Sequence, residues 1–416
     1  MRQGHPSLAA VTEEEGPMKQ YWRSITLMAT GGLVLAACGT GGAGATPTGS
    51  ASQVISSSAG ASGPAAQSDC GAAALGGSNV KVRFQLQWTP QAQFAGYYAA
   101  KDNGYYSEAG LDVTILDGGP TIAPQTVVAA KDGPEFGEAW VPKVLVANEQ
   151  GADLVNIAQV FQRSGTLEVS WKDSNITDPA QWKGKKVGAW GFGNEFEVTA
   201  AARKAGLSDT DYKKVTQDFN MSLLLNREID TAEAMIYNEL AQLLETTDPK
   251  TGKLYTLDQL NIIDLNKYGT AMLQDHVIAR KSWLDGQTGG VSNAQIATCF
   301  LRASFKGWIY CRDNPDKCVD ITLNQGTILG KGHQHWMMNE INALIWPSPS
   351  GIGILDPKLW NQTVSISKDF KILKADPASW AYRTDLAQKA LDGLAGADTK
   401  GTSFQKATVQ VTPKGE

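Results

Sequence analysis

The sequence predicts an α/β protein of two lobes, each a doubly wound sheet, joined by two crossover strands. Three observations carry this. Short alternating or apolar runs recur between helical segments from Val80 to Ala279, and such alternation builds sheets covered on both faces. The alternation falls into two units, which meet near residue 163. A later strand-like run, residues 272–279, is placed to bring the chain back to the first unit. The expected lobes are residues 80–163 with 271–416, and residues 164–270, with crossovers near 163–169 and 269–275.

Each element has its own warrant. Residues 81–87 alternate Lys-Val-Arg-Phe-Gln-Leu-Gln like a half-buried strand. Residues 111–116, 136–138 and 154–161 are further strands, with helices over 94–103 and 121–130 between them. The second unit holds strands at 167–171, 187–190 and 232–236, and helices over 194–204 and 237–244. Beyond Ser292 the chain reads as largely helical, with Gly- and Pro-rich loops near 346–356.

Ahead of the folded part stands a targeting signal. Met18-Lys19-Gln20-Tyr21-Trp22-Arg23 is a short basic region, and the apolar run 25–37 ends in Leu35-Ala36-Ala37-Cys38. That run is too short to span a bilayer but suits a signal peptide. Small residues leading to a cysteine, with Gly39 next, match a bacterial lipoprotein box. Residues 1–38 are therefore expected to be a signal peptide, with Met18 as the true start and Cys38 as the lipidated residue. The product would sit on the extracytoplasmic face of the cell membrane. Residues 39–79 are mostly Gly, Ala, Ser and Thr, which predicts a flexible tether.

An exported chain permits disulfides. Cys311 and Cys318 flank Arg-Asp-Asn-Pro-Asp-Lys, a turn-rich stretch, and are expected to pair. Cys299 lies in a helical segment and Cys70 in the linker. None of the spacings resembles a metal or redox motif. The net charge of -5 offers no basic excess for a nucleic-acid partner.

Twelve tryptophans point toward a flat ligand, although any one of them could simply fill core. Four strand-to-helix junctions deserve comparison, because open α/β sheets bind ligands there. Trp88-Thr89-Pro90 ends the first strand, and the helix after it carries Tyr97. Trp140 stands in Glu138-Ala139-Trp140-Val141-Pro142. Trp190-Gly191-Phe192-Gly193-Asn194-Glu195 is a glycine turn entering a helix, where free N–H groups favour an acceptor. Tyr237-Asn238-Glu239 is the fourth. Trp88, Thr89, Tyr97, Trp140, Trp190, Gly191, Glu195, Tyr237, Asn238 and Glu239 are the candidate ligand-binding residues. Each aromatic could equally pack under its own helix, and Glu195 could merely complement a helix dipole. His333 and His335 lack an obvious third ligand, so no metal site is expected, and no nucleophile sits beside a base.

Several stretches together resemble the family of the yeast pyrimidine synthase for thiamine. They are Leu86-Gln87-Trp88-Thr89-Pro90, Ala100 to Tyr106, Glu108 to Val113, Gln181 to Gly188, and Trp190-Gly191 with Glu195. The resemblance implies a two-lobed periplasmic-binding-protein fold of type II. It also implies one of two activities, solute capture for an ABC importer or pyrimidine synthesis. The synthase would carry a cysteine cluster in the returning strand, and a pyridoxal-phosphate lysine and a histidine after the third strand. Residues 269–276 hold no cysteine and residues 138–143 no histidine; Lys143 stands at the histidine's place and Ala139 at the lysine's. The expectation is therefore a receptor, not an enzyme, with no cofactor of its own. Its partners would be an importer permease and a flat ligand, riboflavin first and a formylaminopyrimidine or hydroxymethylpyrimidine second.

Overall fold

The computed structural model describes residues 69–218 and 220–416. The signal segment, Cys38 and tether residues 39–68 lie outside the described residues. Among the described residues no helix is long and apolar enough to cross a membrane.

Strands β1 (Val80–Gln85), β2 (Leu111–Leu116), β3 (Phe136–Ala139) and β4 (Leu154–Gln159) belong to the first lobe. Strands β5 (Thr166–Trp171), β6 (Lys186–Ala189), β7 (Lys213–Thr216), β8 (Ala232–Met235) and β9 (Leu260–Asp264) build the second. Strand β10 (His276–Arg280) returns to the first sheet, whose order is β2-β1-β3-β10-β4. In the second lobe β8-β5-β9 form one ladder and β6-β7 another. A parallel bridge from Val187 to Thr231 joins them, so the order becomes β7-β6-β8-β5-β9. The two lobes thus repeat one topology.

Within each sheet one strand runs against the rest. Strand β10 is antiparallel to β3 and β4, and β5 is antiparallel to β8 and β9. Both are the strands that arrive from the other lobe, so each enters its sheet from the opposite end. Strands β7 and β9 gave no signal in the sequence: β7 is short, polar and exposed, and β9 carries an outward Ile262. The run expected as strand 272–279 divides, because residues 272–275 form the returning crossover and pairing starts at His276.

The first lobe owns the larger core. Phe84, Tyr97, Phe300 and Trp308 interlock in it, with Tyr97 edge-on to Trp308 at 5.5 Å. Helix Ala95–Asp102 lies tight on helix Asn293–Asp313 because Gly96 and Gly307 face each other. A side chain added at Gly96 would strike Trp308 at 2.1 Å.

Two expectations change here. The tether does not extend to residue 79: Cys70 is bonded to Cys299, Asp69 pairs with Arg302 at 2.6 Å, and Leu75 is buried. Composition alone hid this, since one cysteine and one leucine fasten an otherwise featureless stretch. Cys311 and Cys318 are bonded as expected, but not across a loop. They sit in helices Asn293–Asp313 and Pro315–Leu323, which only Asn314 separates, with Pro315 opening the second.

Candidate functional site

The C-terminal ends of strands from both sheets face one cleft. Gln87, Trp88, Gln91, Gln93 and Trp140 line it from the first lobe. Trp190, Asn194, Met235, Tyr237, Asn238 and Glu239 line it from the second. Six of the ten candidate residues therefore meet: Trp88, Trp140, Trp190, Tyr237, Asn238 and Glu239. The cavity volume is only about 30 Å³, room for a few water molecules. A ring system would need more room than this.

The other four candidates are not among the residues lining the cleft. Tyr97 is wholly buried in the first-lobe core, because the helix turns that face toward Trp308. Thr89 is half-buried beside the turn at Pro90. Gly191 gives its carbonyl to Asn194, and Glu195 spends its carboxylate on the Gly193 N–H at 2.9 Å. The helix start thus satisfies itself.

Sequence reasoning missed the organiser of the cleft floor. Asp275, on the returning crossover, is fully buried and accepts three N–H groups. Gln87 Nε2 and Trp140 Nε1 each reach Oδ1 at 2.6 Å, and Gln93 Nε2 reaches Oδ2 at 2.7 Å. The Asp275 carbonyl also accepts from Val160 and Phe161 on the outgoing crossover. No local pattern announces such a residue. The glutamines did leave a trace, at positions 85, 87, 91 and 93 around Trp88.

Charge in this floor is tightly managed. Burial and the neighbouring Asp275 push Glu138 well above the usual carboxylate range. Burial raises Asp275 as well, but its hydrogen-bond donors draw it back toward the ionised form. Burial lowers Lys143 to about 8, with the nearby carboxylates opposing that shift. Its ammonium lies 5.2 Å from the Trp140 ring centre and donates to Asn194 Oδ1 at 2.9 Å. Lys143 belongs to the first lobe and Asn194 to the second, so this bond spans the cleft. Gly193, at φ +90°, allows it; a side chain there would meet Lys143 Cβ at 2.7 Å. Lys143→Met is expected to weaken ligand retention roughly tenfold, mainly through faster release, since bonds to charged groups contribute about 1.5–3 kcal/mol. Stopped-flow release rates check this, and an unchanged off-rate refutes it.

Glu197 ties both crossovers together. It accepts Ser164 Oγ at 2.8 Å and Gln274 Nε2 at 3.2 Å, while Gln274 Nε2 also reaches Thr166 Oγ1 at 2.6 Å. Burial pushes its pKa from 4.5 up to about 8. A folded value above the unfolded one contributes stability that is complete below pH 4.5 and lost as pH rises through about 8. Glu197→Gln should abolish that loss. Between pH 5 and 9 the wild-type Tm should fall relative to the variant's, and parallel Tm curves count against it.

Among the described residues no cluster of His, Cys, Asp or Glu could hold a metal ion. His333 is buried between Glu245 at 2.9 Å and Asn238 at 3.0 Å, and His335 lies 3.4 Å from Asp316.

The NMT1/THI5-like family model matches residues 91–318, more than half of the chain. The chain belongs to the NMT1/THI5-like family. Relatives include the riboflavin-binding protein RibY of Chloroflexus aurantiacus, 24% identical over 71% of this chain and 82% of its own. The formylaminopyrimidine-binding protein of Halalkalibacterium halodurans is 24% identical over 68% and 83%. The synthase THI11 of Saccharomyces cerevisiae, named for 4-amino-5-hydroxymethyl-2-methylpyrimidine phosphate, is 26% identical over 44% of this chain and 56% of its own. Among solved structures, the alkanesulfonate-binding protein SsuA of Xanthomonas axonopodis pv. citri superposes with a TM-score of 0.52 at 11% identity. That match covers 74% of this chain and 99% of SsuA, so the fold is the periplasmic-binding fold of type II.

Proposed function

We propose that this family member is a solute-binding lipoprotein of an ABC importer that captures riboflavin and passes it to a permease. The observation carrying the reading is the convergence of Trp88, Trp140, Trp190 and Tyr237, from four strand ends and two sheets, on one cleft. A three-ring isoalloxazine would use such stacking surfaces, and the likeness to RibY supports that choice. Opening about the paired crossovers would admit the ring, and closure would bury it. Cys38 would hold the receptor to the membrane by its acyl chains.

The reading is capture without chemistry. Lys143, the one lysine of residues 138–143, is spent on Asn194 across the cleft. The small cavity favours a second reading, a single-ring pyrimidine precursor, which would need less opening. Mass spectrometry of small molecules released from protein purified without added ligand tests both. Riboflavin is expected. A pyrimidine would establish the second reading, and failure of added riboflavin to bind would end the first.

A further inference from the structure

Nearly every side-chain N–H in the cleft wall is already committed to the protein. Gln87, Gln93 and Trp140 donate to Asp275. Trp190 Nε1 donates to the Asp218 carbonyl at 3.1 Å, Asn194 Nδ2 to the Gly191 carbonyl at 3.0 Å, and Asn238 Nδ2 to Glu239 at 2.8 Å. No lysine or arginine is among the residues lining the cleft. Among the fully buried side-chain oxygens and nitrogens of the described lining residues, one stands without a hydrogen-bond partner. Gln87 is 5% exposed, and its Oε1 has none. The amide cannot turn to exchange its ends, because Oε1 would then face the Asp275 carboxylate where Nε2 now donates at 2.6 Å. Asp275 thus fixes Gln87 as an acceptor, and a buried acceptor left alone costs about 1–3 kcal/mol.

We propose that Gln87 Oε1 is the specificity-determining acceptor of the cleft, bonding a ring or amino N–H of a neutral planar heterocycle. This rests on the receptor reading above but not on riboflavin itself. A heterocycle whose N–H is replaced by N-methyl would leave Oε1 unpaired and crowd it.

Two matched pairs test the assignment on the purified chain: riboflavin with 3-methylriboflavin, and 4-amino-2-methylpyrimidine with its 4-dimethylamino analogue. The N–H member of a pair should bind at least about tenfold more tightly, and Gln87→Leu should bring that pair within about threefold. Thermal melting confirms that the variant is folded; if it is not, the wild-type ratio alone decides. Equal wild-type affinities, a preference surviving in folded Gln87→Leu, or no binding of either N–H member overturns the proposal. If flavins bind without discrimination, the acceptor role fails and the riboflavin reading stands. If only the aminopyrimidine binds, with its ratio lost in Gln87→Leu, the acceptor role stands and riboflavin falls.

Discussion

Alanine at Trp190 is expected to weaken flavin binding roughly 30-fold, and alanine at Trp88 by a similar factor. An aromatic contact contributes about 1 kcal/mol beyond area burial, and the lost apolar area adds about as much again. A loss of about 2 kcal/mol corresponds to that ratio. Both side chains stand near strand ends: Trp88 is half-buried against the first-lobe core, and Trp190, 8% exposed, is a buried member of it. The fold should survive the change at Trp88. Thermal melting checks that it survives the one at Trp190, where a core residue is cut back, and quenching of flavin fluorescence reads the affinity of each folded variant. If both variants bind as the parent does, stacking is not how the cleft holds its ligand.

Asp275→Ala should be the most damaging single substitution in the floor, at about 3–5 kcal/mol of stability. It strands three buried donors, on Gln87, Gln93 and Trp140, that no water replaces easily. It also lets the Trp140 ring swing. Asp275→Asn should be milder, since one oxygen still accepts, although its amide would then oppose the Gln93 amide. Denaturant midpoints for the two variants measure the difference. A loss under about 1 kcal/mol for the alanine variant would mean that the carboxylate does not organise the floor.

The sequence made the cleft's aromatic wall legible for a geometric reason. A strand that stops shortly before Trp88, Trp140, Trp190 or Ile236 must deliver its next side chains to the sheet's carboxyl edge, and that edge is where two lobes face. Tyr97 packs in the core and not along the cleft, because helical periodicity reports that a face is apolar, not which neighbour it meets. Glu195 is not among the lining residues, and its partner, the Gly193 N–H, lies in its own turn. Asp275 stayed hidden because its importance comes from residues 135 to 188 positions away. The docking of residues 69–79 escaped for the same reason, since Cys299 lies 229 positions from Cys70.

The place of β10 between β3 and β4 also dictates an order of assembly. A nascent chain that has produced β1 to β4 holds a three-stranded half-sheet and a fourth strand with no neighbour to pair with. The second sheet, by contrast, is complete once β9 ends at Asp264. The inserted lobe can thus mature first, while its host waits with open strand edges until residue 280 arrives. Only afterwards can Cys299 find Cys70 and lock the first lobe shut. The first sheet therefore stays unfinished across more than a hundred residues of synthesis, from β4 at Gln159 to Arg280.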